Sequence, residues 1–130
     1  MRKRLKQQID RIRAAGASYV DVRWYPSEQT DRLMMWNGNL KNASASLESG
    51  AGVRVLYEGA WGFSASSDTD NLTALFDKAF DNARIAAEWV SVPVRLADKR
   101  AVQAEFRSPN KIDPFSIPLA EKTAFMKKLD

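Results

Sequence analysis

The chain contains neither cysteine nor histidine among its 130 residues. Zinc sites in proteins rely on these two residue types, acid–base triads need an imidazole, and thiol chemistry needs a thiolate. The absence of cysteine also excludes a disulfide framework. The most common routes to catalysis are therefore closed to this chain, although a metal site built only from carboxylates stays possible.

Long apolar runs are missing as well. No stretch approaches the roughly 20 apolar residues that a membrane-spanning helix needs. The basic N-terminus is not followed by the apolar segment of a signal peptide. Hydrophobic residues still make up 45% of the chain and charged residues 28%, the balance of an ordinary globular protein. We therefore expect a folded domain with its own core and no membrane partner.

The net charge of +4 is concentrated at the N-terminus. Residues 1–13 carry six basic side chains and one acidic side chain, a local charge of +5, so the remaining 117 residues sum to −1. One basic helix face is more often a solvated surface than a nucleic-acid-binding one, because runs of Lys and Arg are weak signals alone. Nucleic-acid binding is therefore the least favoured of our functional hypotheses.

Apolar residues at helical spacing predict two helices in the first ninety residues. The first covers about 2–15 and is expected to end at Gly16. The second covers about 70–89 and has a continuous face of Leu, Phe and Ala. Asp68 or Asp70 is its predicted N-cap, because an aspartate there can accept from free backbone N–H groups.

A third helix is predicted to start near residue 117, with Ser116 as its N-cap. Its apolar pattern is still running at Asp130, with no glycine or proline to end it. A helix that stops in mid-pattern is typical of a chain that continues. We therefore expect residues 1–130 to form a single N-terminal domain of a longer protein.

Strand patterns lie between the first two helices. The strand over 19–25 is expected to end at Pro26. Asn37-Gly38 then predicts a type I′ turn between two strands, because both residues tolerate a positive φ. Glu58-Gly59 predicts a second hairpin, whose return strand is AWGFSAS (60–66). Gly62 in that strand indicates a bulge or the close approach of another backbone.

The fold class is therefore predicted as α+β. A mostly antiparallel or mixed sheet built from the two hairpins should pack against the three helices. Residues 91–113 contain strand-like fragments broken by prolines and charges. They are interpreted as an extended excursion with one or two edge strands.

Two patterns that suggest ligand sites have simpler explanations. The glycines between 50 and 62 do not match nucleotide-binding spacings, and turns account for them. Asp77 and Asp81, with Asp68 and Asp70 nearby, include a pair one helical turn apart, but the pair lies opposite the apolar face. A solvated surface is favoured over a metal site there. No catalytic residue and no metal ligand is assigned.

Six aromatic residues lie on the predicted strands: Trp24, Tyr25, Trp36, Tyr57, Trp61 and Phe63. Bases can stack on such platforms, but the basic-aromatic signature of an RNA-recognition sheet is absent. Core packing is predicted for most of them, because aromatics on strands usually fill cores. A minority would be exposed for a peptide or a partner subunit.

Four segments, in order, carry a family resemblance: GASYVDVRW (16–24), WNGNLKNAS (36–44), GAGVRVLYEGAWGFSASSD (50–68) and IDPFSIPLAEKTAFMKKLD (112–130). The third has a Gly-Val-Arg strand, a short turn, a Trp-Gly-Phe-Ser-Ala strand and a Ser-Asp helix start. Together they resemble the N-terminal domain of the TldD/PmbA family, whose members were first labelled modulators of DNA gyrase. The resemblance covers nearly the whole chain.

The resemblance implies a soluble, cytoplasmic protein that processes peptides, including precursors made on the ribosome. It implies a homodimer or a TldD–PmbA heterodimer. In the TldD type, zinc sits in a C-terminal domain on a His-Glu-x-x-x-His helix and a later Cys, whereas the PmbA type lacks this site. None of these residues exists here, so none is carried over. The last segment looks more TldD-like, and both types of parent subunit stay open.

We therefore expect a non-catalytic N-terminal module of a zinc metallopeptidase, contributing to the substrate chamber and to dimer assembly. An exposed sheet edge could hold a peptide by strand addition. The candidate contact residues are Trp61, Gly62, Phe63 and Arg54, although the strand could equally be internal. The alternatives are a free-standing α+β protein-interaction module and a basic nucleic-acid-associated domain linked to gyrase modulation.

Overall fold

The computed structural model describes residues 1–129. In this part of the chain the elements follow in the order α1 (Arg2–Ala14), β1 (Tyr19–Trp36), β2 (Asn39–Tyr57), β3 (Ala60–Ser66), α2 (Leu72–Ala87), a 3₁₀ turn (Pro114–Ser116) and α3 (Leu119–Lys127). The strands form one antiparallel meander in the order β1-β2-β3. This arrangement confirms the predicted α+β class.

Internal contacts divide the chain into two compact units. The first unit consists of Met1–Ser27 and Glu48–Asp98, and the second consists of Glu28–Leu47 and the chain from Lys99 onward. The long strands β1 and β2 contribute residues to both units. The assignment of residues 1–130 to one domain of a longer protein stays a prediction.

The first unit contains the apolar core, in which α1 and α2 pack against one face of the sheet. This face explains the predicted stripes, because the buried positions of α1, Leu5 and Ile12, lie at i and i+7. The cluster takes residues from both helices, from β1 and β2, and from the loop between α1 and β1: Leu5, Ile12, Ala17, Val20, Ala51, Val53, Val55, Leu72, Leu75, Phe76, Ala79 and Ala83. The predicted packing of the Leu/Phe/Ala face of the second helix onto the sheet is confirmed.

The end of α1 follows the glycine that the sequence places there. Gly16 has a φ of 108°, and its N–H donates to the Arg13 carbonyl at 3.0 Å. The next N–H, of Ala17, donates to the Ile12 carbonyl at 3.3 Å. These two bonds form a Schellman motif, and the buried Ala17 joins Ile12 in the core.

Both predicted hairpins are confirmed, and both have two-residue turns with positive φ. Asn37 and Gly38 have φ values of 48° and 68°, and Glu58 and Gly59 have φ values of 47° and 82°. These are type I′ turns, whose twist matches the twist of the flanking strands. The hairpins share β2, so they form a three-stranded meander.

The prediction that the first strand ends at Pro26 is wrong, because β1 runs on to Trp36. Proline cannot donate to a strand ladder, but an edge strand has positions whose N–H would face solvent. β1 is an edge strand, and Pro26 is exposed. The proline is therefore compatible with a longer strand.

The N-cap of α2 is Asn71 and neither of the predicted aspartates. The Asn71 Oδ1 accepts from the Ala74 N–H at 3.2 Å. Asp68 lies earlier and accepts from the Asp70 N–H at 2.9 Å, which closes a local turn before the helix. The capping distance of three residues therefore selects Asn71.

The predicted edge strands within 91–113 are also wrong, since the structure has no strand in that range. Pro93, Pro109 and the charges at 98–100 leave few residues in a row that could join a ladder. The third helix is confirmed, but it starts at Leu119 with Pro118 at the N-cap position. Ser116 lies in the preceding 3₁₀ turn. The prediction that the helix is still running at Asp130 is wrong for residues 128 and 129, because α3 ends at Lys127 with Lys128 as its C-cap, and Asp130 itself lies outside the described residues.

The second unit contains α3 and the hairpin ends of β1 and β2. Lys122 of α3 forms an ion pair with Asp31 of β1 at 2.7 Å. No described residue of this unit reaches the buried class. Across residues 1–129, no helix is both long enough and apolar enough to cross a membrane.

Candidate functional site

The structure places the four candidate contact residues on two neighbouring strands. Trp61, Gly62 and Phe63 lie on β3, and Arg54 lies on β2 directly opposite Phe63. β3 is at the edge of the sheet. Its burial alternates, because Gly62 and Ser64 are buried whereas Trp61 is 37% and Phe63 57% exposed. The strand thus has an inner face under α2 and an outer face that carries both aromatic rings.

Arg54, Trp61 and Tyr19 contact one another on the outer face. The Arg54 guanidinium lies 5.4 Å from the centre of the Trp61 ring, within the range of a cation–π contact. Tyr19 of β1 meets the Trp61 ring edge to face, with the ring centres 5.9 Å apart. We call Tyr19, Asp21, Arg54, Trp61 and Phe63 the outer cluster.

Arg54 is held in place by Asp21 of β1. Its Nε donates to Asp21 Oδ2 at 3.0 Å, and its Nη2 forms an ion pair with the same oxygen. The hydrogen bond and the charge of Asp21 raise the pKa of Arg54 above its ordinary value. The other carboxylate oxygen, Asp21 Oδ1, is buried without a hydrogen-bond partner among the described residues. Arg54 is therefore a fixed support for Trp61.

Gly62 lies on the inner face, where the backbone of α2 comes very close. A Cβ built on Gly62 would lie 2.1 Å from the Ala79 carbonyl oxygen and 2.3 Å from the Ala83 nitrogen. The predicted close approach is thus confirmed. There is no bulge, because the register pairs Val55 with Gly62 within an unbroken series. Gly62 shapes the site by letting α2 pack on β3, and its own position is covered by that helix.

The backbone of β3 alternates between β2 and the open edge. The two-residue turn makes Tyr57 and Ala60 a hydrogen-bonded pair, so the bonded positions on β3 are 60, 62, 64 and 66. The backbone N–H and C=O groups of Trp61, Phe63 and Ala65 therefore point away from β2. One of these groups has a partner, since Asn82 Nδ2 of α2 donates to the Phe63 carbonyl at 2.8 Å.

Sequence reasoning did not single out Asn82. Its side chain is exposed, and nothing in the composition marks it as functional. The available signal is its position, because it directly precedes Ala83 on the helix face that packs on β3. A polar residue at the border of that face can reach the backbone of the strand beneath it.

The expectation that most strand aromatics fill the core is wrong for four of the six. Trp24 and Tyr57 pack against the core. The exposed ones are Tyr25, Trp36, Trp61 and Phe63. For Tyr25, Trp61 and Phe63 the two-layer arrangement is the physical reason, because the helices cover only one face of the sheet in the first unit. Trp36 lies in the second unit, in which no described residue is buried.

Acidic residues do not assemble into a metal site in the described chain. Asp77 pairs with Arg11 at 2.7 Å, and Asp81 lies 3.8 Å from Arg84. Within residues 1–129, no group of three or more His, Cys, Asp or Glu side chains is placed to hold a metal ion. With no histidine or cysteine in the sequence, the donor set does not fit a zinc site.

Basic residues near the N-terminus are partly engaged within the first unit. Arg4 donates to the Asp70 carbonyl at 2.8 Å, Lys6 pairs with Asp10 at 2.6 Å, and Arg11 is the partner of Asp77. These contacts account for three of the six basic side chains in residues 1–13. They give part of the basic face a role within the fold.

Comparison with known proteins relates part of this chain to a family. Residues 20–83, from β1 to α2, match the family model described as PmbA/TldA metallopeptidase domain 1. Metalloprotease MJ0996 of Methanocaldococcus jannaschii is 27% identical over 118 residues, which cover 89% of this chain and 26% of that protein. Metalloprotease slr0863 of Synechocystis sp. is 28% identical over 109 residues, which cover 83% of this chain and 23% of that protein.

The chain spans about a quarter of the length of these curated relatives. No solved structure matches it. The matched region contains the whole outer cluster except Tyr19, and it contains Asn82. Together, the family match and the two relatives support the predicted resemblance to the N-terminal domain of the PmbA/TldD family.

Proposed function

We propose that this chain is the non-catalytic N-terminal module of a zinc metallopeptidase that processes peptides. The observation that carries the proposal is the match of residues 20–83 to the first domain of a metallopeptidase family. Both relatives are named metalloproteases, and both extend well beyond the aligned part. The same resemblance underlies our proposal of a cytoplasmic location.

Zinc would be bound by a part of the parent protein outside this chain. The chain has no histidine or cysteine, and its described carboxylates form no cluster suited to a metal. We therefore assign no step of peptide hydrolysis to these residues. Their part in the reaction is to hold and orient the substrate.

The proposed contribution to the substrate chamber centres on β3. An extended peptide alongside an edge strand is held by main-chain hydrogen bonds, which bind many sequences alike. Trp61 and Phe63 would add apolar contact on the outer face, where both rings are exposed. Arg54, fixed by Asp21, keeps the Trp61 ring in place. This division of roles suits a protein that processes varied peptides.

The proposed contribution to dimer assembly centres on the second unit. Its described residues include none in the buried class, although many are large and apolar. The exposed ones on its hairpin and α3 are Met34, Trp36, Leu40, Leu47, Leu119 and Phe125. Exposed apolar surface of this kind is typical of interaction sites. A second copy, or a PmbA-type partner of a TldD-type subunit, would cover it.

The test of the main proposal is to read and express the gene beyond the codon for Asp130. We expect it to encode a His-Glu-x-x-x-His segment. The longer product should cleave unstructured peptides and lose that activity with a chelator, whereas the 130-residue chain alone should not. A stop codon directly after Asp130, or chelator-sensitive turnover by the short chain, would contradict the proposal.

A free-standing protein-interaction module is the second candidate. The exposed apolar side chains of the second unit favour it over nucleic-acid binding. A stop codon after Asp130 would support it. The nucleic-acid hypothesis would instead be supported by salt-sensitive binding to duplex DNA. That binding should be lost when four basic residues are neutralised, namely Arg2, Lys3, Arg4 and Lys6.

A further inference from the structure

β3 is an edge strand that lacks most of the usual protection. Ala60–Ser66 includes no charged residue and no proline. The register with β2 runs without a bulge from Ala51↔Ser66 to Tyr57↔Ala60. Natural edge strands normally carry a charge, a proline or a bulge, because their open N–H and C=O groups would otherwise pair with any available strand. An edge with no charge, no proline and no bulge is therefore suited to binding another strand.

Asn82 occupies one place on this edge. Its side-chain amide, which projects from α2, donates to the outward carbonyl of Phe63 at 2.8 Å. The bond is exposed, and an exposed side chain can rotate away on a nanosecond scale. The amide N–H thus stands where the N–H of an added strand would otherwise donate.

We propose that the edge of β3 accepts an extended peptide by strand addition, and that Asn82 holds the Phe63 carbonyl until a peptide N–H replaces it. A permanently paired edge would already satisfy this carbonyl and would leave the Asn82 amide without that partner. A side chain that stands in for a strand N–H fits an occupant that comes and goes. The identity of the occupant as a peptide rests on the proposed function.

The geometry also indicates which peptide residues matter. Side chains of an added strand alternate between the two faces of the sheet. Those on the outer face would lie beside Trp61 and Phe63, whose exposed rings favour apolar partners. On the other face, α2 already lies against β3. The preferred ligand is therefore an extended peptide with apolar side chains at alternate positions.

The experiment is a titration of the 130-residue chain with a capped heptapeptide of alternating Val and Thr, followed by amide-resolved NMR. We expect the largest shifts at the amides of Trp61, Phe63 and Ala65. Asn82→Ala should bind about three- to tenfold more tightly, because the peptide no longer competes with a side-chain hydrogen bond. Lys78→Ala, an exposed change on the same helix, should bind like the wild type.

A second probe tests the backbone contacts directly. Two versions of the same heptapeptide are compared, and in each of them alternate backbone nitrogens are methylated. The version whose methyl groups replace the N–H groups facing β3 should lose binding, whereas the version methylated at the other nitrogens should keep it. If Asn82→Ala folds poorly, Asn82→Asp takes its place. An aspartate cannot donate to the Phe63 carbonyl, so this variant should also bind the peptide more tightly than the wild type does. Equal binding of both methylated peptides, shifts that map away from β3, or unchanged affinity in both Asn82 variants would overturn the inference.

The outcome is separable from that of the proposed function. Peptide binding at β3 without peptidase activity in the longer gene product would refute the metallopeptidase role and leave the edge site standing. A chelator-sensitive peptidase whose N-terminal domain shows no shifts at β3 would refute the edge site alone.

Discussion

Gly62 shows how one residue sets the distance between two layers. The backbone of α2 passes so close that a Cβ would lie 2.1 Å from the Ala79 carbonyl oxygen. Backbone atoms in a packed helix cannot give way as the end of a long side chain can. We expect Gly62→Ala to lower the free energy of unfolding by about 3 kcal/mol, at the upper end of the cost of overpacking. Urea denaturation followed by tryptophan fluorescence would measure it.

Gly52 provides the matched control on the neighbouring strand. A Cβ there would meet the Phe63 ring at 3.4 Å, an ordinary contact with a side chain that can adjust. Gly52→Ala should therefore change stability by no more than about 0.5 kcal/mol. Equal losses for the two variants would mean that glycine flexibility, and not the approach of α2, explains Gly62.

The outer cluster illustrates which site residues the sequence could reveal. Trp61, Phe63 and Arg54 could be named because alternation on a predicted strand places them on one face. Asp21 and Tyr19 could not, since their contact with Arg54 and Trp61 depends on β1 lying beside β2. Asn82 was out of reach for the same reason, because its partner is nineteen residues away in the sequence.

At the scale of an element, the start of α2 can be used to test whether Asn71 or Asp70 is the N-cap of the helix. Asn71 accepts from the Ala74 N–H, whereas no hydrogen bond joins the Asp70 carboxylate to the helix among the described residues. Asn71→Ala should cost about 1 kcal/mol of stability, the usual value for a lost N-cap. Asp70→Ala should cost about 0.3 kcal/mol, the lower limit for a charge near a helix start. Thermal denaturation of both variants would reveal a reversed order if the aspartate were the cap.

The hairpins and helices were predictable because their signals are local. Asn37-Gly38 specifies its turn through two residues that tolerate positive φ. Pro26 gave the wrong strand end because its effect depends on whether the strand is at an edge, which only the sheet order shows. The fragments within 91–113 resemble strands in composition, yet none of them forms a strand in the described structure, where Val94 donates a backbone hydrogen bond to the Gly59 carbonyl at 2.9 Å without starting a ladder.

The contact of α3 with the hairpin in the second unit should depend on pH. The hydrogen bond from Lys122 holds the pKa of Asp31 below its ordinary value of 3.8, against the opposing effect of burial. Because the folded pKa is lower than the unfolded one, the pair stabilises this contact fully above 3.8. That contribution is lost as the pH falls through the folded pKa.

Carbon-detected NMR of the Asp31 carboxyl group over the acid range would check this dependence. In Lys122→Met the carboxyl group should titrate closer to its ordinary value, since the largest cause of the shift is removed. Lys127→Met is the control, because no ion pair joins Lys127 to a carboxylate among the described residues. An unchanged Asp31 titration in Lys122→Met would contradict the pairing.

At the scale of the whole molecule, the two units differ in what stabilises them. The first unit has a core of twelve buried residues drawn from both helices and two strands. The second has no described residue in the buried class, and a two-stranded hairpin alone is marginally stable in water. The hydrophobic contribution, which dominates folding, is therefore concentrated in the first unit.

This difference predicts uneven protection from hydrogen exchange in the 130-residue chain. Amides of α2 and of the β3 positions that are bonded to β2 should exchange only through cooperative unfolding of the first unit, whereas those of α3 and the hairpin at 30–45 should exchange through local opening. Mass spectrometry of peptic fragments would resolve the two sets. If the second unit is an assembly surface, its protection should rise in the longer gene product or with increasing concentration of a self-associating chain. Equal protection of both units in the dilute short chain would show that the second unit is stable without a partner, and would remove the physical reason for assigning assembly to it.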